Sequence, residues 1–124
     1  MEETEIDTLA AAIGNAHDFF RERDIPDWER LEKIRDKVQV PLILHGGSDW
    51  NDGKAIEAVE KGIGCFNVDT NIRLAFVNTL SSIFRGKEDP GVDVRRILSE
   101  VKNEIKESVK EKITLYGSAG KDLQ

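Results

Sequence analysis

Three short apolar runs, each closing on a glycine or a polar side chain, set the strongest limit on how this chain folds. They are Ile6 to Ile13, running into Gly14-Asn15-Ala16-His17; Val40 to Leu44, running into His45-Gly46-Gly47-Ser48; and Cys65-Phe66-Asn67-Val68, running into Asp69-Thr70. Continuous apolar runs of this kind, rather than alternating ones, suit strands of a parallel sheet covered on both faces. Ala10, Ala11 and Ala12 weaken the first run as a strand, because alanine is depleted in sheets.

Helical patterns fill the gaps. Pro26-Asp27 opens one in which Trp28, Leu31 and Ile34 share a face. Asp52 is placed to cap a second, with Ala55, Ile56 and Val59 inward and Gly62 as its stop. Thr70 is placed to cap a third, with Ile72, Phe76, Leu80 and Ile83 or Phe84 inward and Gly86 at its end. A charged loop with Pro90 and Gly91 leads to a last helix over Val94 to Tyr116, striped by Ile97, Leu98, Val101, Ile105 and Val109. The order β-α-β-α-β-α-α is the βα repeat of a barrel or a doubly wound sheet. A chain of 124 residues has room for one domain, 1–124, with a modest core.

Composition excludes more than it identifies. The chain is 39% hydrophobic and 34% charged, and no apolar run approaches the length of a membrane span. The opening residues, MEETEIDTL, lack the basic and apolar regions of a signal peptide. One cysteine, Cys65, rules out an internal disulfide and suits a reducing cytosol, so a cytoplasmic location is expected. With no activating neighbour in sequence, it reads as an inert core thiol. The net charge of −6 comes without a basic stripe, which argues against nucleic acid as a partner.

His17, His45 and Asn67 recur about one βα unit apart, at the C-terminal edge of the sheet where βα folds build their active sites. Imidazole suits zinc, and a catalytic zinc usually takes three protein ligands. Two histidines without a close-spaced signature do not separate a metal site from two locally hydrogen-bonded side chains. Gly46-Gly47-Ser48 offers open backbone N–H groups and a hydroxyl beside a helix N-terminus, which suits a phosphate. Asn67-Val68-Asp69-Thr70 repeats the arrangement one strand later. Each motif alone reads equally as a turn and a cap; together, beside two histidines, they favour a site for a metal and a phosphate.

The segments IDTLAAAIGNAH, VPLILHGGS, CFNVDTNIRLAF and VKEKITLYGSAGK resemble, in order and spacing, the last third of class II fructose- and tagatose-bisphosphate aldolases. The resemblance covers nearly the whole chain and implies strands six to eight of a (β/α)8 TIM barrel plus its C-terminal helices. It implies reversible cleavage of fructose 1,6-bisphosphate to dihydroxyacetone phosphate and glyceraldehyde 3-phosphate through a zinc-stabilised enediolate; tagatose 1,6-bisphosphate is the alternative substrate. By the same resemblance His17 and His45 are zinc ligands, and Gly46, Gly47 and Ser48 cradle the phosphate with the help of a monovalent cation. Asn67 contacts the enediolate, and Val68, Asp69 and Thr70 belong to the same binding segment. Arg95 stands near where many members carry an arginine that reaches a neighbouring phosphate.

The departures are local. Asp18 replaces a glycine after the first histidine, Asp49-Trp50-Asn51 replaces Gly-Ile-Pro, and Glu5 stands where glycine is common. The resemblance puts the family's third zinc histidine and its aspartate acid/base on an earlier strand, so no catalytic base is assigned here. An alternative is a non-catalytic or engineered barrel fragment serving as a structural or assembly module. Three parallel strands leave two open edges. A homo-oligomer, or docking to a complementary barrel segment, is therefore expected to cover the face formed by Leu9, Ala11, Ile43, Phe66 and Val68.

Overall fold

A computed structural model describes residues 5–14, 25–48, 50–86 and 93–121. His17, Asp18, Phe19, Phe20, Asp49 and the loop carrying Pro90 and Gly91 lie outside them. The chain is mixed α/β and divides into two compact units, Met1–Val68 and Asp69–Gln124.

The first unit runs β1 (Leu9–Ala10), α1 (Trp28–Arg35), β2 (Leu42–Leu44), α2 (Asp52–Glu60) and β3 (Ile63–Phe66). Its sheet is parallel throughout, in the order β1-β2-β3. β1 and β2 are shorter than the apolar runs suggest, and β3 begins two residues before Cys65. Register explains the side-chain facing. Leu9 pairs with Leu42, which pairs with Ile63, and Leu44 pairs with Phe66. These side chains share the face that packs on the core of Ile13, Leu31, Trp50 and Ala58. Ala10, Ile43 and Cys65 form the other row. A register shift between Leu42 and Ile43 leaves Gly64 as the extra residue of β3.

Two expectations are corrected by this register. Cys65 is exposed, not a core thiol, because it stands in the row opposite the side chains that pack on the core. Leu9 and Phe66, expected on the open face, pack against the core instead. Ile13, Leu31 and Leu44 are fully buried, and each such side chain contributes about 1.5–3 kcal/mol relative to exposure.

Helix α1 forms as its pattern requires. Asp27 caps it by accepting from the Arg30 N–H at 2.9 Å, and Leu31 is buried between half-buried Trp28 and Ile34. In α2 the cap is Asn51, one residue earlier than expected, accepting from Lys54 N–H at 2.9 Å. That helix buries Ala55 and Ala58, while Ile56 points outward. Gly62 ends α2 at φ +100°; a Cβ there would meet Arg35 Cδ at 2.8 Å.

The second unit pairs α3 (Thr70–Phe84) with α4 (Val94–Leu115). Asp69, not Thr70, holds the cap position of α3. Ile97 and Val101 are the buried residues of α4. On α3, Ile72, Leu80 and Ile83 are half-buried, but Phe76 and Phe84 are exposed. A Schellman motif closes α4: Gly117, at φ +70°, donates to Thr114 C=O, and Ser118 N–H donates to Ile113 C=O. Among the described residues no helix is long and apolar enough to cross a membrane.

Candidate functional site

The parallel sheet delivers the candidate residues by ending. β2 stops at Leu44, and His45 is the next residue. Asn67 N–H donates to Leu44 C=O at 3.2 Å, carrying the ladder one step beyond β3. That bond sets Asn67 beside His45. The Asn67 amide nitrogen then lies 3.3 Å from His45 Nε2 and 3.4 Å from Nδ1. Both side chains are exposed at the C-terminal edge of the sheet, so His45 and Asn67 are brought together as the spacing predicts.

The loop after His45 is shaped by two glycines for different reasons. Gly46 has φ +76°, a left-handed conformation that a side chain disfavours. Gly47 is buried, and a Cβ on it would come within 3.0 Å of Leu44 Cδ2 and 3.5 Å of Phe66 Cδ1. Ser48 is buried as well, at 8% exposure. Trp50 N–H donates to Gly47 C=O at 3.2 Å, closing a turn, and Asn51 begins α2 immediately afterwards. Glycine amides in a turn that leads into a helix N-terminus form a backbone suited to an anion.

Trp50, one of the local departures noted in the sequence, does not stand out into the site. It is 4% exposed and meets Trp28 edge to face, with ring centroids 5.8 Å apart and planes at 82°. The Lys54 ammonium lies 5.9 Å from the Trp50 ring centroid. A tryptophan two residues past a Gly-Gly-Ser turn was the available signal for this anchor.

The other candidates belong to the second unit. The Asp69 carboxylate pairs with Arg73 Nε at 2.7 Å, and Thr70 opens α3. Arg95 is turned onto Asp93, with its terminal nitrogen 2.7 Å from Oδ2. This hydrogen-bonded pairing lowers the Asp93 pKa and raises that of Arg95. Val68 is half-buried at the end of the first unit.

For a metal, the described residues do not amount to a site. Among them no three His, Cys, Asp or Glu side chains come together, and His45 is the only histidine described. Its exposed imidazole has the right donor chemistry for zinc, but a catalytic zinc usually takes three protein ligands.

The family described as fructose-bisphosphate aldolase class-II matches residues 1–121. The fold is similar to the crystal structure of the YdjI aldolase from Escherichia coli K12, at 32% identity and a TM-score of 0.81 over 97% of this chain. It is similar also to a putative fructose-1,6-bisphosphate aldolase from Coccidioides immitis, at 28% identity and a TM-score of 0.79 over 97% of this chain. The chain spans 42% and 41% of those two chains. On the match over 1–121 and these two likenesses, the chain belongs to the class II fructose-bisphosphate aldolase family.

Proposed function

We propose that the chain forms the C-terminal partial barrel, strands six to eight, of a class II ketose-bisphosphate aldolase acting in the cytoplasm. The observation that carries this is the joint placing of His45 and Asn67 at the ends of adjacent parallel strands, with the Gly46–Ser48 turn leading into α2. His17 and His45 are two of three zinc ligands, and the third comes from outside these residues. When bound, zinc supplies the Lewis acidity that polarises a ketone. Gly46, Gly47 and Ser48 hold the phosphate of dihydroxyacetone phosphate through backbone N–H groups and a hydroxyl, with a monovalent cation beside them. Asn67 touches the reacting end of the substrate, and Val68, Asp69 and Thr70 continue the binding segment. Fructose 1,6-bisphosphate is the proposed substrate, with tagatose 1,6-bisphosphate the alternative.

A second reading, a non-catalytic assembly module, draws support from the row Ala10, Ile43 and Cys65, in which Ala10 and Cys65 are exposed and Ile43 half-buried. On either reading a second copy or a complementary barrel segment is proposed to lie over that row. Titrating the labelled chain with dihydroxyacetone phosphate, with and without zinc, tests the site directly. Amide shifts confined to Gly46, Gly47, Ser48 and Asn67 are expected. Shifts scattered over α3 and α4, or none at millimolar ligand, defeat the reading.

A further inference from the structure

We propose that Trp50 is a positioning residue that fixes the backbone of Gly46–Ser48; that this backbone receives a phosphate rests on the function proposed above. The turn it closes is short, with Trp50 N–H bonded to Gly47 C=O at 3.2 Å. Its indole is held on the other side by Trp28 of α1, edge to face at 5.8 Å. The Gly47 carbonyl is therefore bonded to the main chain of a residue whose ring is buried in the core of the unit. Asn51, the next residue, is committed to capping α2 through Lys54 N–H at 2.9 Å. From the strand side, Gly47 lies so close to Leu44 and Phe66 that a Cβ would come to 3.0 Å from Leu44 Cδ2. The glycine loop is thus held between the sheet and the tryptophan pair, although glycines contribute no stiffness of their own.

Such an anchor matters because amides that must converge on one anion lose affinity when their directions drift. A small misplacement of binding groups has large effects, up to about 10²-fold in the catalytic case. Trp28 acts through its edge-to-face contact with Trp50.

The experiment uses the full chain and two readouts: amide hydrogen exchange at Gly46, Gly47 and Ser48, and calorimetric titration with inorganic phosphate. Trp50→Leu removes the ring but keeps apolar volume; Trp50→Phe keeps an aromatic edge for Trp28. In Trp50→Leu we expect exchange at the three loop amides to speed by about tenfold through local opening. Amides of Leu31 and Leu44 should hold their protection, and phosphate affinity should fall about tenfold. Trp50→Phe should restore most of both. Unchanged loop exchange in a folded Trp50→Leu overturns the proposal, as does a uniform rise across the whole unit, which marks a merely structural residue. If Trp50→Leu does not fold, the same two readouts on Trp28→Leu decide. Faster loop exchange with no phosphate binding even in the parent chain supports the positioning role and sinks the phosphate reading.

Discussion

The side-chain amide nitrogen of Asn67 stands almost equally far from the two ring nitrogens of His45, 3.3 Å from Nε2 and 3.4 Å from Nδ1. Near-equal distances put it in line with neither lone pair, so the contact orients the imidazole more by packing than by a directed hydrogen bond. Replacing His17 and His45 together with alanine is expected to abolish zinc binding. Asn67→Ala should weaken it by less than about tenfold, below the 10–100-fold typical of hydrogen-bonded supporting residues. Zinc titration monitored by a competing chelator measures both. Unchanged zinc content in the double variant would remove the metal from the proposed site.

The purified chain is expected to show negligible cleavage of fructose 1,6-bisphosphate. No positioned acid/base is assigned within it, and a single such group contributes roughly 10²–10⁴-fold. A coupled assay on a preparation free of host aldolase checks this. Turnover in the range of a complete enzyme overturns it.

The two loop glycines should respond differently to alanine. Gly46→Ala meets the left-handed penalty of about 1–2 kcal/mol at φ +76°. Gly47→Ala drives a Cβ to 3.0 Å from Leu44, which is 1% exposed and has little freedom to yield, so overpacking of about 1–3 kcal/mol is expected. Urea denaturation gives both values. A neutral Gly47→Ala would show that the strand end relaxes freely.

Glu32 and Lys61 join α1 to the end of α2 at 2.8 Å. The hydrogen bond to Lys61 lowers the Glu32 pKa, and the same bond raises that of Lys61. The lowered carboxyl stabilises the fold above its unfolded pKa and loses that effect as pH falls through its folded value. The raised ammonium stabilises below its unfolded pKa and loses the effect as pH rises through its folded value. Glu32→Gln should therefore lower the melting temperature slightly at neutral pH and leave it unchanged well below the carboxyl range. An equal loss at both pH values would show that the pair is not the cause.

The row of exposed Ala10 and Cys65 with half-buried Ile43 makes self-association the expected state. Apolar surface left wet forfeits about 25 cal/mol per Å². Light scattering across a concentration series should show dimers or larger species. A strict monomer to high micromolar concentration rules the assembly out.

The sequence revealed the order of elements and the strand-end residues because continuous apolar runs and glycine stops act locally. VPLIL reads directly as the central strand, and His45 follows it. Strand extent was less legible. The run Ile6–Ile13 yields only Leu9–Ala10 as β1, and an apolar run alone does not say how many of its residues find a ladder partner. Facing was not legible at all, because Gly64 inserts an extra residue and no local pattern says on which side Cys65 falls. Caps slipped by one residue, to Asn51 and Asp69, where two polar residues in succession compete for one position. Glu5 offers the reverse lesson. Its φ of +47° lies in the left-handed region that a side chain disfavours, so a departure noted in the sequence falls on a strained backbone.

Both tryptophans of the chain, Trp28 and Trp50, sit in the same core, and the second unit has none. Indole fluorescence therefore watches Met1–Val68 alone. A single smooth melting curve from that signal would leave the fate of α3 and α4 unseen, and apparent two-state behaviour would need a second, helix-sensitive probe before it described the whole chain.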